Sequence, residues 1–188
     1  VELTAGDLDG VGVGLREGDL GIGIVAEGRS PFVRSLLVNI GSRAGVKSGY
    51  AVVNRDGFVG RSIEVSESAT RVLLASDPSS RIPVLIGSAR LRGILRGDSS
   101  ADPVIEFIGD PDAVRDGDEV TTSGHDGVLP AGLRIGSAGR RDGSLRVKLH
   151  ANLSTLDFVS ILFFEAPGLP LVGEPSTSER RRVAVDAE

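Results

Sequence analysis

The sequence predicts an all-β fold: two small β-barrels packed together. Three observations carry that expectation. First, about a dozen short runs rich in Val, Ile and Leu succeed one another, each bounded by Gly, Asp, Ser or Pro, and none continues with the 3.6-residue period of an amphipathic helix. Second, glycine supplies 26 of the 188 residues, roughly double the ordinary share of about 7%. Spread between apolar runs, that many glycines mean frequent tight turns rather than a low-complexity tract. Third, a phrase recurs. Val46-Lys47-Ser48-Gly49-Tyr50-Ala51-Val52 is matched by Val114-Arg115-Asp116-Gly117-Asp118-Glu119-Val120, a spacing that suits a duplicated domain rather than a solenoid. Hydrophobic residues make up 40% of the chain and aromatics only 4%, so the cores must be built from Val, Ile and Leu.

Residues 1–19 are rich in Gly and Asp without a sustained period and read as a poorly ordered lead-in. Leu20–Ala26 alternates Ile with Gly as a first strand, broken by Glu27–Pro31. Phe32–Ile40 follows, with Leu36, Val38 and Ile40 on one face at period two. Gly-rich punctuation reverses the chain into Tyr50–Asn54. Asp56-Gly57 then signals a type I′ hairpin turn, because glycine adopts the required positive φ without penalty, and Phe58–Val65 is the returning strand. Arg71–Ala75, Ile82–Ile86, Leu91–Leu95 and Val104–Ile108 continue the series. Pro83, lacking an N–H, assigns its strand to an edge or a bulge. After Gly109-Asp110-Pro111, strands are expected at Glu119–Thr122, Leu133–Ala138, Ser144–Leu149 and Asp157–Phe164. The domain plan is a first barrel over residues 20–108 and a second over 109–166, with strand exchange between them left open. Residues 167–188, with their prolines and the Arg180-Arg181-Arg182 run, read as a disordered tail.

Composition also sets aside several functions. Acidic residues number 26 against 21 basic, a net charge of −5, and neither a basic face nor an aromatic stacking platform favours nucleic acid. With no cysteine there is no disulfide, zinc thiolate or cysteine nucleophile. The longest apolar run, Phe158–Phe164, falls short of the ~20 residues that span a bilayer. A chain opening at Val1 without Met is expected to be an excised fragment, with any membrane anchor upstream.

The motifs that could carry chemistry are weak. Ser123, His125 and Asp126 lie within one turn, where side chains diverge instead of converging as a triad requires; a serine hydrolase with Ser123 as nucleophile is the alternative they leave. Asp110, Asp112, Asp116, Asp118 and Glu119 form an acidic run, but Pro111 and the Ala113–Arg115 gap break calcium-loop spacing. Two isolated histidines make no metal cluster. Gly10, Gly12 and Gly14 neither follow a strand nor open a helix, so they are no dinucleotide loop. No cofactor, metal or catalytic residue is expected.

Ile40-Gly41-Ser42, Gly45-Val46-Lys47-Ser48-Gly49, Asp56-Gly57-Phe58-Val59-Gly60-Arg61, Asp77-Pro78-Ser79-Ser80-Arg81-Ile82-Pro83-Val84, Arg92-Gly93-Ile94-Leu95-Arg96-Gly97 and Gly127-Val128-Leu129-Pro130-Ala131-Gly132 occur in that order. This succession, over roughly residues 24–165, resembles the extracytoplasmic part of the rod-shape-determining MreC family. The resemblance implies two barrels arranged as in two-barrel serine proteases but without their catalysis. It also implies a periplasmic domain of a bacterial inner-membrane-anchored protein, with a membrane helix and coiled coil that this chain lacks. The implied role is a scaffold for wall elongation and rod shape. It would bind an elongation-specific penicillin-binding protein, act with MreD, RodA and, indirectly, MreB, and self-associate as a dimer or filament. A peptidoglycan-binding module is a further alternative.

Four aromatic residues are candidates for partner binding. Tyr50 and Phe58 flank the recurring phrase and its hairpin and are large enough to anchor an interface. Phe163 and Phe164 close the longest apolar run, in which neighbouring side chains must face opposite sides of a sheet. Val52, Val59, Val72 and Leu74 are expected in a barrel interior.

Overall fold

The structure, a computed structural model, describes residues 22–30 and 33–164; the expectations for residues 1–19 and 167–188 lie outside them. Twelve strands follow in chain order: β1 Ile22–Ser30, β2 Val33–Val38, β3 Ala51–Val53, β4 Phe58–Val65, β5 Thr70–Leu74, β6 Arg81–Ile86, β7 Leu91–Arg96, β8 Val104–Glu106, β9 Glu119–Thr122, β10 Arg134–Arg141, β11 Ser144–Leu149 and β12 Phe158–Leu162. They close into two six-stranded rings, β1-β12-β3-β4-β5-β2 and β10-β11-β8-β7-β6-β9, with every pairing antiparallel. Closure leaves neither ring with an unpaired edge.

The two rings have the same cyclic plan. If β3, β4, β5, β2 and β1 are matched to β9, β10, β11, β8 and β7, each strand keeps its neighbours, and β12 takes the place of β6. The recurring phrase sits at the same point in both. A 3-10 turn, Ser42–Ala44 or Pro111–Ala113, precedes a buried valine, Val46 or Val114. Then comes a glycine at φ +94 (Gly49) or +91 (Gly117). The Gly49 N–H donates to the Ser62 carbonyl and the Gly117 N–H to the Ala138 carbonyl, each at 2.8 Å. Ser62 and Ala138 in turn donate to Tyr50 and Asp118 carbonyls. The turn glycines therefore hold the equivalent turn that leads into β3 in one barrel and β9 in the other.

Several expected boundaries move. The division at 108/109 does not separate the barrels: β6, β7 and β8 belong to the second ring, and β12 belongs to the first. The chain changes barrel between β5 and β6 and returns after β11, a non-local step that local pattern cannot encode. β1 runs on to Ser30 through the expected break, because the β2 ladder holds it as far as the Ser30–Val33 pair. Pro83 lies in an interior strand, paired with Ile94 on β7. It is tolerated because the β6–β9 ladder begins only at Val84, and the Pro83 carbonyl accepts the Ser123 N–H on that side. The reversal at Asp56-Gly57 is closed by Asn54, whose Oδ1 accepts both the Asp56 and Gly57 N–H at 3.0 Å.

The core divides in two. Leu36, Val38, Val52, Val59, Val72, Leu74, Val159 and Ile161 fill the first barrel. Ile82, Val84, Ile86, Leu95, Val120, Ile135 and Val147 fill the second, and this second cluster also takes in Ala51, Val53, Phe58, Ala75 and Leu162 from the first. Those five face outward from their own barrel. They make the seam by which the barrels are welded, and Phe58, wholly buried there, contributes about 1.5–3 kcal/mol by its burial.

Candidate functional site

The four aromatic candidates separate on burial. Phe58 is in the seam and Tyr50, 7% exposed, is in the first barrel's core, so neither is the surface anchor expected of it. Barrel closure and the second barrel cover them. Tyr50 meets Phe163 edge-on, with ring centroids 5.5 Å apart and planes at 63°, the arrangement favoured by opposed ring quadrupoles. Phe163 is half-buried against that core, and Phe164 is half-buried just beyond β12.

Two other phenylalanines stand in solvent. Phe158 is 64% exposed at the start of β12, on the face that also presents Ser160 and Leu162, so it continues the seam outward. Phe107 is 82% exposed and has φ +57. Strand alternation would have turned it inward; the left-handed backbone after β8 sends it out and returns Ile108 to the core. No local signal marks a positive φ at phenylalanine, and the period-two reading of β12 gave only a face for Phe158, not its exposure.

The catalytic candidates are used up by turns. Ser123 Oγ accepts the His125 backbone N–H at 3.2 Å. Asp126 Oδ1 accepts the N–H groups of Val128 and Leu129 at 3.1 and 3.2 Å. Each side chain caps its own loop, and no carboxylate is positioned on the His125 ring among the described residues. The acidic run is likewise structural. Asp110 caps the Pro111–Ala113 turn, Asp112 pairs with Arg140 at 2.9 Å, Asp116 accepts the Arg140 N–H, and Asp118 accepts the Arg115 N–H. No group of three or more metal-ligating side chains occurs among the described residues.

Polar contacts ring the apolar seam. The Arg34 N–H of β2 donates to Asp77 Oδ2 at 2.6 Å, and its Nη1 crosses to the second barrel, donating to the Ser99 carbonyl at 2.9 Å. Beside it, a Cβ on Gly97 would collide with the Asp77 backbone, so only glycine lets the two segments approach there. At the β3–β4 hairpin, Gly57 packs over the Arg134 carbonyl. Glu119 there accepts from Arg134 and meets His150, both at 3.1 Å. Asp98 is held by Arg146 at 2.8 Å. Partial burial disfavours its charge, but hydrogen bonds from Ser100 and Arg146 outweigh that and keep its carboxyl below the usual range.

The comparisons with known proteins agree with this architecture. A family model described as "Rod shape-determining protein MreC, barrel core" matches residues 24–163. The cell shape-determining protein MreC of Cereibacter sphaeroides is 43% identical over 140 residues, 74% of this chain and 47% of that protein. That of Caulobacter vibrioides is 41% identical over 143 residues, 76% of this chain and 41% of that protein. The chain spans less than half the length of either. The crystal structure of MreC from Pseudomonas aeruginosa superposes with a TM-score of 0.70 at 24% identity, covering 77% of this chain and 98% of that one. A chain from the complex between penicillin-binding protein PBP2 and MreC of Helicobacter pylori gives 0.60 at 20% identity, covering 76% and 96%. At those identities the structural likeness shows the fold.

Proposed function

The chain belongs to the MreC family of rod shape-determining proteins, and from that membership we propose that it is a non-catalytic periplasmic scaffold for cell-wall elongation. In this reading it binds an elongation-specific penicillin-binding protein, works beside MreD and RodA with MreB engaged indirectly, and self-associates. It is tethered to the inner membrane through a segment outside these barrels. The observation that carries the reading is the pair of barrels that spans the family's core. The Ser123 and Asp126 side chains of the triad-like turn cap that turn, which favours a scaffold over a hydrolase. The PBP2 complex of the Helicobacter pylori relative supports the choice of partner.

The contact surface in this proposal runs from Phe158, exposed at the seam margin on β12, to Phe163 and Phe164, half-buried just beyond that strand. Aromatic side chains of this kind anchor interfaces with little loss of conformational entropy. Calorimetric titration of the chain against the extracytoplasmic part of the elongation-specific penicillin-binding protein is the test. Saturable binding weakened by Phe158→Ser and Phe164→Ser is expected. Absence of binding, with sedimentation also showing a monomer at high concentration, would remove the scaffold reading.

A further inference from the structure

A cleft of about 270 Å³ opens between the barrels on the side of Arg34. Both rings contribute to it: Arg34 and Ser76 from the first, Ser99, Ser100 and Lys148 from the second, and Asn152 from the segment that returns to β12. Clefts at such junctions are among the places where small ligands bind. Its chemistry is lopsided. The Arg34 guanidinium is fixed at the wall by the Ser99 carbonyl at 2.9 Å and Ser76 Oγ at 3.4 Å. Lys148 makes no ion pair with any described residue. The one carboxylate in the lining, Asp102, is already paired with Arg141. In a chain of net charge −5, the cleft therefore keeps a local excess of positive charge, while the Ser100 hydroxyl in its lining is already committed to Asp98 and the Asp102 carbonyl.

We propose that this cleft binds the free carboxylate end of a short peptide. The volume limits the occupant to about one or two residues, since drug-sized ligands take cavities from about 300 Å³ upward. The Lys148 ammonium and the Arg34 guanidinium supply charge-assisted donors, the kind that discriminate a carboxylate from a neutral amide. Asn152 also lines the cleft. The inference stands apart from the penicillin-binding-protein contact, which is placed on β12. Two sources share this chemistry, a wall stem peptide ending in D-residues and the C-terminus of a protein.

The test is an amide NMR titration of the full chain with N-acetyl-D-Ala-D-Ala, N-acetyl-L-Ala-L-Ala and the C-terminal amide of each. Saturable shifts are expected at 99–102 and 148–154 with at least one free acid, and none with the amides. The favoured stereoisomer distinguishes the two sources. Lys148→Gln, at an exposed position that leaves the fold intact, is expected to weaken binding about tenfold or more. Equal response to acid and amide, shifts confined to other regions, an unchanged affinity in Lys148→Gln, or no saturation with either acid would each overturn the proposal.

Discussion

Phe58 and Phe158 show how little a residue's type says about its work. Both are phenylalanines on strands of the first barrel, yet one is wholly buried in the seam and the other 64% exposed. Phe58→Ala removes a ring from a packed cluster and is expected to cost about 3–5 kcal/mol. Phe158→Ser is expected to stay within about 0.5 kcal/mol of the parent. Urea unfolding midpoints of the two variants decide this, and a comparable loss in both would contradict the placement of the seam. Asp98 makes a pH-dependent prediction. Because its folded carboxyl titrates below the ordinary value of 3.8, its contribution is complete above that value and is lost as pH falls through the folded one. Asp98→Asn is expected to cost about 1.5–3 kcal/mol at pH 7, the range for hydrogen bonds to a charged group. The gap to wild type should begin to narrow below about pH 4 and go on narrowing as the medium becomes more acid. A gap that stayed constant from pH 7 down through the acid limb would contradict it.

Among the elements, legibility follows locality. Each of the twelve strands coincides with an expected apolar run, and β4, β9 and β11 begin and end where pattern and turn residues place them. Alternation and Gly or Asp punctuation are local, so they survive without tertiary information. The pairing of β12 with β1 and β3 joins segments far apart in sequence, and no residue in Phe158–Leu162 announces it. The site was less legible than the fold. Burial of Tyr50 and Phe58 depends on what the second barrel covers, and the inter-barrel cleft draws on Arg34 and Lys148, which no motif connects. The recurring turn was legible, and it supports a paired prediction. Gly117→Ala and Gly49→Ala both force an L-residue to φ near +90°, costing about 1–2 kcal/mol. A Cβ at Gly117 meets nothing within 4 Å, whereas one at Gly49 lies 2.9 Å from Val128 Cγ1 in the other barrel. Gly49→Ala should therefore be the more damaging by denaturation. Equal losses would mean that the loop of Val128 does not press on that turn.

For the whole molecule, the decisive feature is that two rings of the same plan share one hydrophobic cluster and are laced twice by the chain, once after β5 and again before β12. The proposed scaffold role requires the two halves to be held in a constant relation. Here that relation rests on Ala51, Val53, Phe58, Ala75 and Leu162, and on the Arg34–Ser99 contact at the rim. Burial of these side chains couples each barrel's unfolding to the other's, because opening the first exposes part of the second's core. Differential scanning calorimetry of the chain measures that coupling directly. One transition is expected, with calorimetric and van't Hoff enthalpies in agreement; two resolved transitions, each carrying about half the heat, would contradict a seam that makes the barrels one unit.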